Sequence, residues 1–392
     1  MSFGVYVHIP FCARACDYCD FAKWVDRAHL VDDYVAACRR DLDRRAEAAA
    51  LPPATSVFFG GGTPSLLPAR DIVGILDAIP RAPGAEVTVE CNPDSVDHQK
   101  LEEYRAGGVT RISLGVQSMR PHVLAALGRT HDPDNVTRAV GWVRALGFET
   151  FNVDVIYGTP GESIGDWRTT LEGILALDPP HVSAYALTVE PTTPLGQRVA
   201  GGAPAPVDDD QALMYEVADE LLSAAGLTWY EVSNWSRPGH ECRHNLLTWG
   251  GGDYLAVGCA AHGHDHGRRW WNVRTPERYV ERIDAGADPE VGHEILGAPA
   301  RAEEALTLAL RTRAGAVLPR AALGEARRLE AGGLLELAPP DGPDGSDVRA
   351  VLTRRGRLLA TDVTARLLVA VSMAEARAPI DLTGAAAGTR YH

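Results

Sequence analysis

The feature that most constrains the fold is a sixfold alternation between short β-branched segments and longer segments of helical periodicity. An apolar period of about two residues indicates a strand, and one of about 3.6 residues indicates a helix. The predicted strands are residues 4–9, 56–59, 86–91, 111–116, 151–158 and 181–187. The predicted helices are residues 26–50, 69–79, 97–105, 122–127 with 134–146, 164–176 and 208–225. Consecutive βα units build an α/β fold with a parallel sheet and right-handed crossovers.

The number of βα units narrows the architecture. A complete barrel needs eight of them, so six predict an open, partial (β/α)6 barrel, with a doubly wound sheet as the alternative. In both architectures ligands bind at the carboxyl ends of the strands. Residues that contribute little to core packing lie at or near these predicted ends: Cys12, Cys16, Cys19, the glycine run 60–62, Glu90, Asn92, Gln117 and Asp154. We therefore expect a functional site at this rim.

Three cysteines follow the first predicted strand at the spacing C-x3-C-x2-C, with no fourth cysteine nearby. Thiolates favour iron–sulfur clusters, zinc or cuprous ions. A structural zinc site is closed by four protein ligands, whereas three ligands leave one coordination position open. Cys12, Cys16 and Cys19 therefore predict a metal site with one coordination position open. A cubane iron–sulfur cluster on three thiolates would keep one iron free, and zinc is disfavoured because it usually adds a fourth Cys or His at short range. The remaining cysteines are scattered and are predicted to be buried apolar side chains: Cys38, Cys91, Cys242 and Cys259.

The composition describes a soluble globular protein. The formal net charge is −14 over 392 residues, which argues against a basic nucleic-acid-binding face. We see no apolar run long enough to span a bilayer and no signal peptide, so a cytoplasmic location is expected. We predict four segments: a partial barrel at 1–226, a connecting and covering segment at 227–292, a small α+β domain at 293–370, and a disordered tail at 371–392.

The small domain is predicted to contain two helices, a hairpin and a further helix begun by Thr353. This order is typical of a winged helix. Its arginines barely outnumber its acidic residues, so packing or partner docking is favoured over DNA binding.

The motifs at the rim resemble those of a known superfamily. Tyr18 stands between Cys16 and Cys19, and Gly60-Gly61-Gly62-Thr63-Pro64-Ser65 follows the second strand. Together they resemble the radical S-adenosylmethionine (SAM) superfamily. The resemblance implies a [4Fe-4S] cluster held by Cys12, Cys16 and Cys19, whose fourth iron is chelated by the methionine part of SAM. One electron, supplied by a donor, then splits SAM into methionine and a 5′-deoxyadenosyl radical. The glycine run suits the amino group of SAM, because backbone carbonyls without neighbouring Cβ atoms can approach a ligand closely.

Further segments, spread over residues 4–265, narrow the resemblance to the oxygen-independent coproporphyrinogen III oxidase family. They are Tyr6–Cys12, Glu90–Pro93, Gly115–Ser118, Leu127–His131 and Asp154–Gly158. The small domain also resembles the C-terminal domain of that family. The oxidases themselves carry C-x3-C-x2-C-x-C and an extension before the first strand. Here the corresponding position is Phe21, and the strand begins at residue 4.

A second motif separates the branches of this family. His244-Asn245-x-x-x-Trp249 is similar to the H-N-x-x-[YF]-W signature of the HemW branch, although Thr248 departs from its usual aromatic residue. This resemblance implies binding of haem and its transfer to an acceptor protein. One alternative is an authentic oxidase that decarboxylates a porphyrinogen propionate. Another is a nucleic-acid-modifying radical enzyme that docks through the winged domain.

The resemblance assigns site residues by position. Those expected to contact SAM, or a second adenosyl-side ligand, are Tyr6, Tyr18, Gly61, Gly62, Thr63, Glu90, Gln117, Arg129, Asp154 and Ala186. Carboxylates can accept hydrogen bonds from an amino group, and a guanidinium can pair with a carboxylate. The alternatives are that Arg129 pairs with Asp132 or Asp134, and that Asp154 is a buried structural carboxylate.

Haem needs an axial nitrogen or sulfur ligand and an apolar site. His244 is the first candidate ligand, His262 the second and Cys242 the third, with Trp249 among the surrounding aromatic residues. The predicted partners are haem, an acceptor protein and an electron donor, with peripheral membrane association as a route to the acceptor and no nucleic acid. The run 262–266, rich in histidine, is predicted to be a solvated loop rather than a divalent metal site.

Overall fold

The computed structural model describes residues 2–48, 51–338 and 348–377. The chain divides into two compact units, Met1–Arg301 and Ala302–His392. The larger unit extends past the predicted boundary at residue 292, since the last strand of its sheet ends at Ile295. Within the tail predicted as disordered, the chain is helical as far as Arg377. Residues 378–392 lie outside the described residues.

The described residues of the larger unit form twelve strands. They are β1 (Phe3–Ile9), β2 (Ala54–Gly61), β3 (Arg81–Cys91), β4 (Arg111–Gln117), β5 (Thr150–Tyr157), β6 (His181–Ala186), β7 (Thr228–Glu231), β8 (Asn234–Ser236), β9 (Asp253–Val257), β10 (His262–Asp265), β11 (Arg268–Asn272) and β12 (Glu290–Ile295). Its helices are α1 (Val31–Ala48), α2 (Ala69–Asp77), α3 (His98–Ala106), α4 (Pro121–Ala126), α5 (Pro133–Ala145), α6 (Ile164–Ala176), α7 (Pro194–Ala200), α8 (Asp208–Ala224), α9 (Arg243–Trp249) and α10 (Pro276–Asp284). The short α7 was not predicted.

All twelve strands form one sheet in the order β12-β11-β10-β9-β1-β2-β3-β4-β5-β6-β8-β7. Strands β1 to β6 are parallel and adjacent in chain order. A doubly wound sheet reverses its strand order at a switch point, and here the order of these six strands never reverses. Right-handed crossovers that all proceed in one direction place the helices on one face. The prediction of a partial (β/α)6 barrel is therefore confirmed. The barrel stays open because β1 pairs next with β9, and β6 with β8.

Alternation along β1 separates the two faces of the sheet. Val5, Val7 and Ile9 are buried, as expected for side chains that pack on the helix layer. Tyr6 and His8 point the opposite way, onto the concave inner face, which the register continues from strand to strand. The inner face therefore carries the polar residues of the barrel.

The segment 227–292, predicted to connect and cover, instead adds strands to the sheet. It extends the sheet at both edges: the hairpin β7–β8 pairs antiparallel with β6, β9 pairs parallel with β1, and β10 to β12 follow in antiparallel order. These strands have three to six residues and few β-branched side chains, so their local sequence gives a weak strand signal. Pairing with an existing barrel edge stabilises them instead.

The smaller unit contains α11 (Ala298–Leu310, which begins in the larger unit), β13 (Ala316–Leu318), α12 (Leu323–Ala331), β14 (Leu335–Ala338), β15 (Val348–Leu352), α13 (Arg354–Leu358) and α14 (Ala360–Arg377). The predicted hairpin is β14 with β15, and β13 joins it as an unpredicted third strand. Thr353 caps α13, as predicted, by accepting a 2.9 Å hydrogen bond from the Gly356 amide. The winged-helix-like fold is confirmed. Within the described residues, no helix combines the length and apolar character needed to cross a membrane.

Candidate functional site

The cysteine loop after β1 is fixed by backbone hydrogen bonds at both ends. The Cys12 amide donates to the Trp24 carbonyl at 3.0 Å, and the Trp24 amide donates to the Pro10 carbonyl at 2.7 Å. The glycine run after β2 lies against this loop, because the Gly62 amide donates to Ile9 at 2.8 Å. A Cβ on Gly62 would lie 2.7 Å from the Phe11 carbonyl oxygen. Only glycine therefore allows the two segments to pack this closely.

Cys12, Cys16 and Cys19 are free, partly exposed thiols on this loop. Their three Sγ atoms do not all lie within 4.8 Å of one another. Four ligands around a single zinc ion, at about 2.3 Å from the metal, would be closer than this. The donor set therefore fits a larger [4Fe-4S] cluster with one open iron better than a single ion. Burial raises the pKa of the Cys12 and Cys19 thiols, and metal binding would deprotonate them.

A cavity of about 800 Å³ opens beside the loop, large enough for a nucleoside-sized ligand. Almost all of the residues predicted at the rim line it: Cys12, Cys16, Cys19, Tyr18, Gly61, Gly62, Thr63, Glu90, Gln117, Arg129, Asp154 and Ala186. The structure thus brings the predicted cluster ligands and SAM contacts together in one cavity, with Tyr6 as the exception.

Two carboxyl groups face this cavity from neighbouring parts of the inner face. Glu90 accepts a hydrogen bond from the Gly61 amide at 3.1 Å. Burial, and secondly the charge of Asp154, raise the pKa of Glu90 to about 8. Asp154 accepts from Ser113 Oγ at 2.9 Å and from Asn152 Nδ2 at 2.7 Å, yet burial still raises its pKa. A pair of desolvated acids is stabilised by a cation, and both the ammonium and the sulfonium of SAM are cationic.

Arg129 provides the opposite charge. Its Nη2 donates to the Gly115 carbonyl at 2.6 Å, and its Nη1 lies 3.8 Å from Cys16 Sγ. Asp132, the alternative partner, instead caps α5 by accepting from the Asp134 amide. Arg129 is therefore placed to stabilise a cluster thiolate and to meet a ligand carboxylate.

Gln117 ends β4 with a φ of +64°. This left-handed conformation is uncommon outside glycine and is found at ligand-binding sites.

Several cavity residues were missed by the sequence reasoning, among them Lys100, His131 and Tyr185. Lys100 reaches the cavity from α3 and donates to the carbonyls of Ser65 and Ser95 at 2.6 and 3.0 Å. No sequence pattern marks such a long side chain. Tyr185 lies near the carboxyl end of β6, so the strand-end rule could have identified it.

Tyr6 lies deeper on the inner face than the cavity. Its hydroxyl is 3.1 Å from His8 Nδ1, and its ring stacks on Phe58 at 6.3 Å. Tyr6 is not among the residues that line the cavity.

The predicted haem residues lie elsewhere. His244, on α9, is 6% exposed, and its Nδ1 is 3.1 Å from Ser56 Oγ near the amino end of β2. Burial lowers the pKa of His244 to about 4. Glu86 holds the start of α9, since its Oε1 accepts from the amides of Arg243 at 2.9 Å and His244 at 3.3 Å. Trp249 ends the same helix. The HN…W segment thus lies at the barrel end opposite the cysteines.

The other two haem candidates differ in exposure. Cys242 is buried, with its Sγ 3.5 Å from Glu86 Oε1. His262 is exposed on β10, and its ring stacks with Trp271 at 5.9 Å. The run 262–266, predicted to be a loop, is mostly strand β10 and the start of its turn.

Comparisons with known proteins agree with this geometry. A family model for the radical SAM superfamily matches residues 6–174. The heme chaperone HemW of Mycobacterium tuberculosis is 45% identical, over 93% of this chain and 95% of the relative. The heme chaperone HemW of Bacillus subtilis is 32% identical, over 92% of this chain and 97% of the relative. Among solved structures, the radical SAM enzyme coproporphyrinogen III oxidase (HemN) of Escherichia coli matches with a TM-score of 0.81, and the match covers 93% of this chain and 90% of the oxidase. Its 22% identity establishes the fold alone.

The superfamily implies a [4Fe-4S] cluster and SAM, and the three thiols, the desolvated acids and Arg129 are suitable partners for both. The chain belongs to the heme chaperone HemW family of the radical SAM superfamily.

Proposed function

We propose that this protein is a haem chaperone that binds haem and transfers it to an acceptor protein. The observation that carries the proposal is 45% identity to a protein named heme chaperone HemW, extending over 93% of the chain. The proposal includes an electron donor for the cluster, a cytoplasmic location, and peripheral membrane contact as a route to the acceptor.

In this proposal the cavity serves the cofactors rather than the haem. Cys12, Cys16 and Cys19 would hold the cluster, which when bound would supply an open iron for the methionine part of SAM. Arg129 offsets the negative charge of the Cys16 thiolate and pairs with a ligand carboxylate. Glu90 and Asp154 receive the cationic groups of the ligand, and the glycine run leaves room for it beside the loop.

The second candidate function is an oxygen-independent coproporphyrinogen III oxidase, which the shared fold with the Escherichia coli oxidase favours. Phe21 argues against it. It stands where the resemblance places a further cysteine in the oxidases, and its side chain is 61% exposed at the edge of the cavity. The oxidase motif is therefore incomplete in this chain.

The test uses the full-length protein with its cluster reconstituted under anaerobic conditions. We expect saturable haem binding in an absorbance titration, and transfer of the bound haem to an apoprotein acceptor such as apomyoglobin. Incubation with coproporphyrinogen III, SAM and a reductant should yield no protoporphyrinogen. Formation of protoporphyrinogen would contradict the chaperone function, and so would a failure to bind haem.

A further inference from the structure

The inner face of the sheet continues beyond the barrel onto the strands that follow β1. Tyr6 pairs with Ala256 on β9, Tyr254 pairs with His264 on β10, and His262 pairs with Trp271 on β11. Paired residues in neighbouring strands project to the same face. His262, Trp271 and Arg269 therefore share the face that carries Tyr6. None of the three lines the cysteine cavity.

His262 differs from the other histidines on this face because its ring nitrogens are free. His8 uses both of its nitrogens, towards Tyr6 and the Ala22 carbonyl, and His264 uses both, towards Gly252 and the Gly267 amide. His244, on α9, has one ring nitrogen on Ser56 Oγ and is buried. His262 is exposed, and no protein atom of the described chain hydrogen-bonds to its ring. It is thus available to a ligand without any rearrangement.

Trp271 fixes the orientation of the His262 ring. The two rings are 5.9 Å apart and inclined by 29°. The indole in turn lies across Gly292 of β12, where a Cβ would come within 2.5 Å of it. Trp271 is itself partly exposed, so the two rings present an aromatic surface beside a free imidazole.

Arg269 adds a positive charge next to this surface. It pairs with His264 two residues further along β10 and β11, so it faces the same way as His262. It forms an ion pair with Glu294 at 2.8 Å and keeps 36% of its side chain exposed. A partly exposed guanidinium can accept a second carboxylate partner. A free imidazole, an aromatic surface and an arginine match the iron, the ring and a propionate of haem.

We propose that haem docks on this face of β9–β11, with His262 as axial ligand to the iron. Trp271 is a positioning residue that holds the imidazole, and Arg269 pairs with a propionate. The inference rests on the proposed chaperone function, since haem is the ligand that its relatives are named for.

The experiment titrates hemin into the full-length protein and follows absorbance and resonance Raman spectra. His262→Ala should weaken binding about tenfold or more, as is typical when the coordination of a metal is disturbed. His98→Ala is the matched control, because His98 is also exposed and lies on α3, away from this face. It should bind as the wild type does. Adding imidazole to His262→Gly should restore the wild-type haem spectrum, which a purely structural role would not allow.

The role of Trp271 is tested by a pair of variants. Trp271→Phe keeps a stacking ring and should retain the wild-type spectrum, whereas Trp271→Ala should alter the spectrum and weaken binding about tenfold. Circular dichroism shows whether each variant is folded.

The outcomes separate the inference from the function. If the wild type does not bind hemin saturably, the chaperone function fails and the site fails with it. If the wild type binds but His262→Ala keeps the same affinity and spectrum, only the site is overturned. Equal weakening by His98→Ala would also overturn it, since the effect would then be common to exposed histidines.

Discussion

Glu90 is partly exposed to the cavity, and a cationic partner would stabilise its carboxyl group when it is ionised. Its pKa in the folded protein is about 8, raised first by burial and then by the charge of Asp154. The unfolded value is about 4.3. The folded state therefore binds more protons between these values, and Glu90 contributes stability at low pH that is lost as the pH rises towards 8. A cationic ligand beside Glu90 would reverse this loss by stabilising the ionised carboxylate.

A Glu90→Gln substitution should separate stability from ligand binding. The neutral amide keeps an acceptor for the Gly61 amide but carries no charge. We expect the cofactor-free variant to be more stable than the wild type at pH 8.5 by about 1 kcal/mol, or about 2–4 °C in Tm. The gain should disappear towards pH 4.5. With the cluster reconstituted, SAM binding should weaken because the cation loses its partner.

Thermal unfolding across this pH range and calorimetric titration with SAM test the prediction. Glu102→Gln is the control, since Glu102 is exposed on α3. A stability difference that does not change with pH would contradict the assignment of Glu90 as a desolvated acid.

At the residue scale, position in a βα pattern predicted the cavity well. The carboxyl ends of parallel strands share one edge, so Glu90, Gln117 and Asp154 could be grouped without coordinates. The same reasoning does not predict how far from the strand ends a side chain lies on the inner face. Tyr6 and the cysteines follow one another closely in the chain, yet Tyr6 lies further down β1 and does not line the cavity.

The helix α9 closes the amino end of the barrel and depends on one buried acid from another element. Glu86 on β3 is 6% exposed and accepts hydrogen bonds from the first amides of α9. These amides have no partner within the helix itself. Glu86→Ala would leave these two amides without a hydrogen-bond acceptor and would open a cavity beside them. We expect the free energy of unfolding to fall by about 2 kcal/mol. Backbone amides in residues 243–249 should exchange their hydrogens faster than in the wild type.

Asp97→Ala is the matched control for this prediction. Asp97 caps α3 by accepting from the Lys100 amide at 2.8 Å, so its removal should cost about 1 kcal/mol without affecting exchange in α9. Hydrogen exchange read by mass spectrometry distinguishes the two. Unchanged protection of α9 in Glu86→Ala would show that the helix is held by its packing alone.

At the scale of elements, regular βα units were predictable and the added strands were not. The helix 164–176 was predicted with the bounds that the structure gives, because a serine cap and an apolar period mark it locally. The strands β9 to β12 lack such marks. They join the barrel through β9, whose pairing partner β1 is about 250 residues earlier in the chain, and sequence periodicity does not report contacts at that distance.

The charge of the whole molecule bears on the nucleic-acid alternative. The net charge is −14, and in the winged-helix-like unit Arg328 and Arg366 both pair with Glu325, at 3.0 and 2.6 Å. Nucleic-acid binding needs cations that can reach phosphates. We expect no retention of DNA or RNA in gel-shift experiments at low salt.

A basic winged-helix protein in the same assay is the positive control. Retention of DNA or RNA by this chain that weakens steeply with added salt would contradict the prediction and revive the docking role of that unit.

For the whole molecule, counting elements left two architectures open, and only the spatial order of the strands decided between them. Six βα units fit a partial barrel or a doubly wound sheet equally well from periodicity. The direction of each crossover is a tertiary property, which no single segment encodes.

The cysteine loop is tied to Trp24, Pro10 and the glycine run by hydrogen bonds that involve no cysteine sulfur. We therefore expect the conformational entropy of ordering this segment to be lost when the barrel folds, independently of the cluster. If the cluster is lost, the loop should keep the backbone conformation that these hydrogen bonds hold. Reconstitution should then require iron and sulfide but no refolding of the chain.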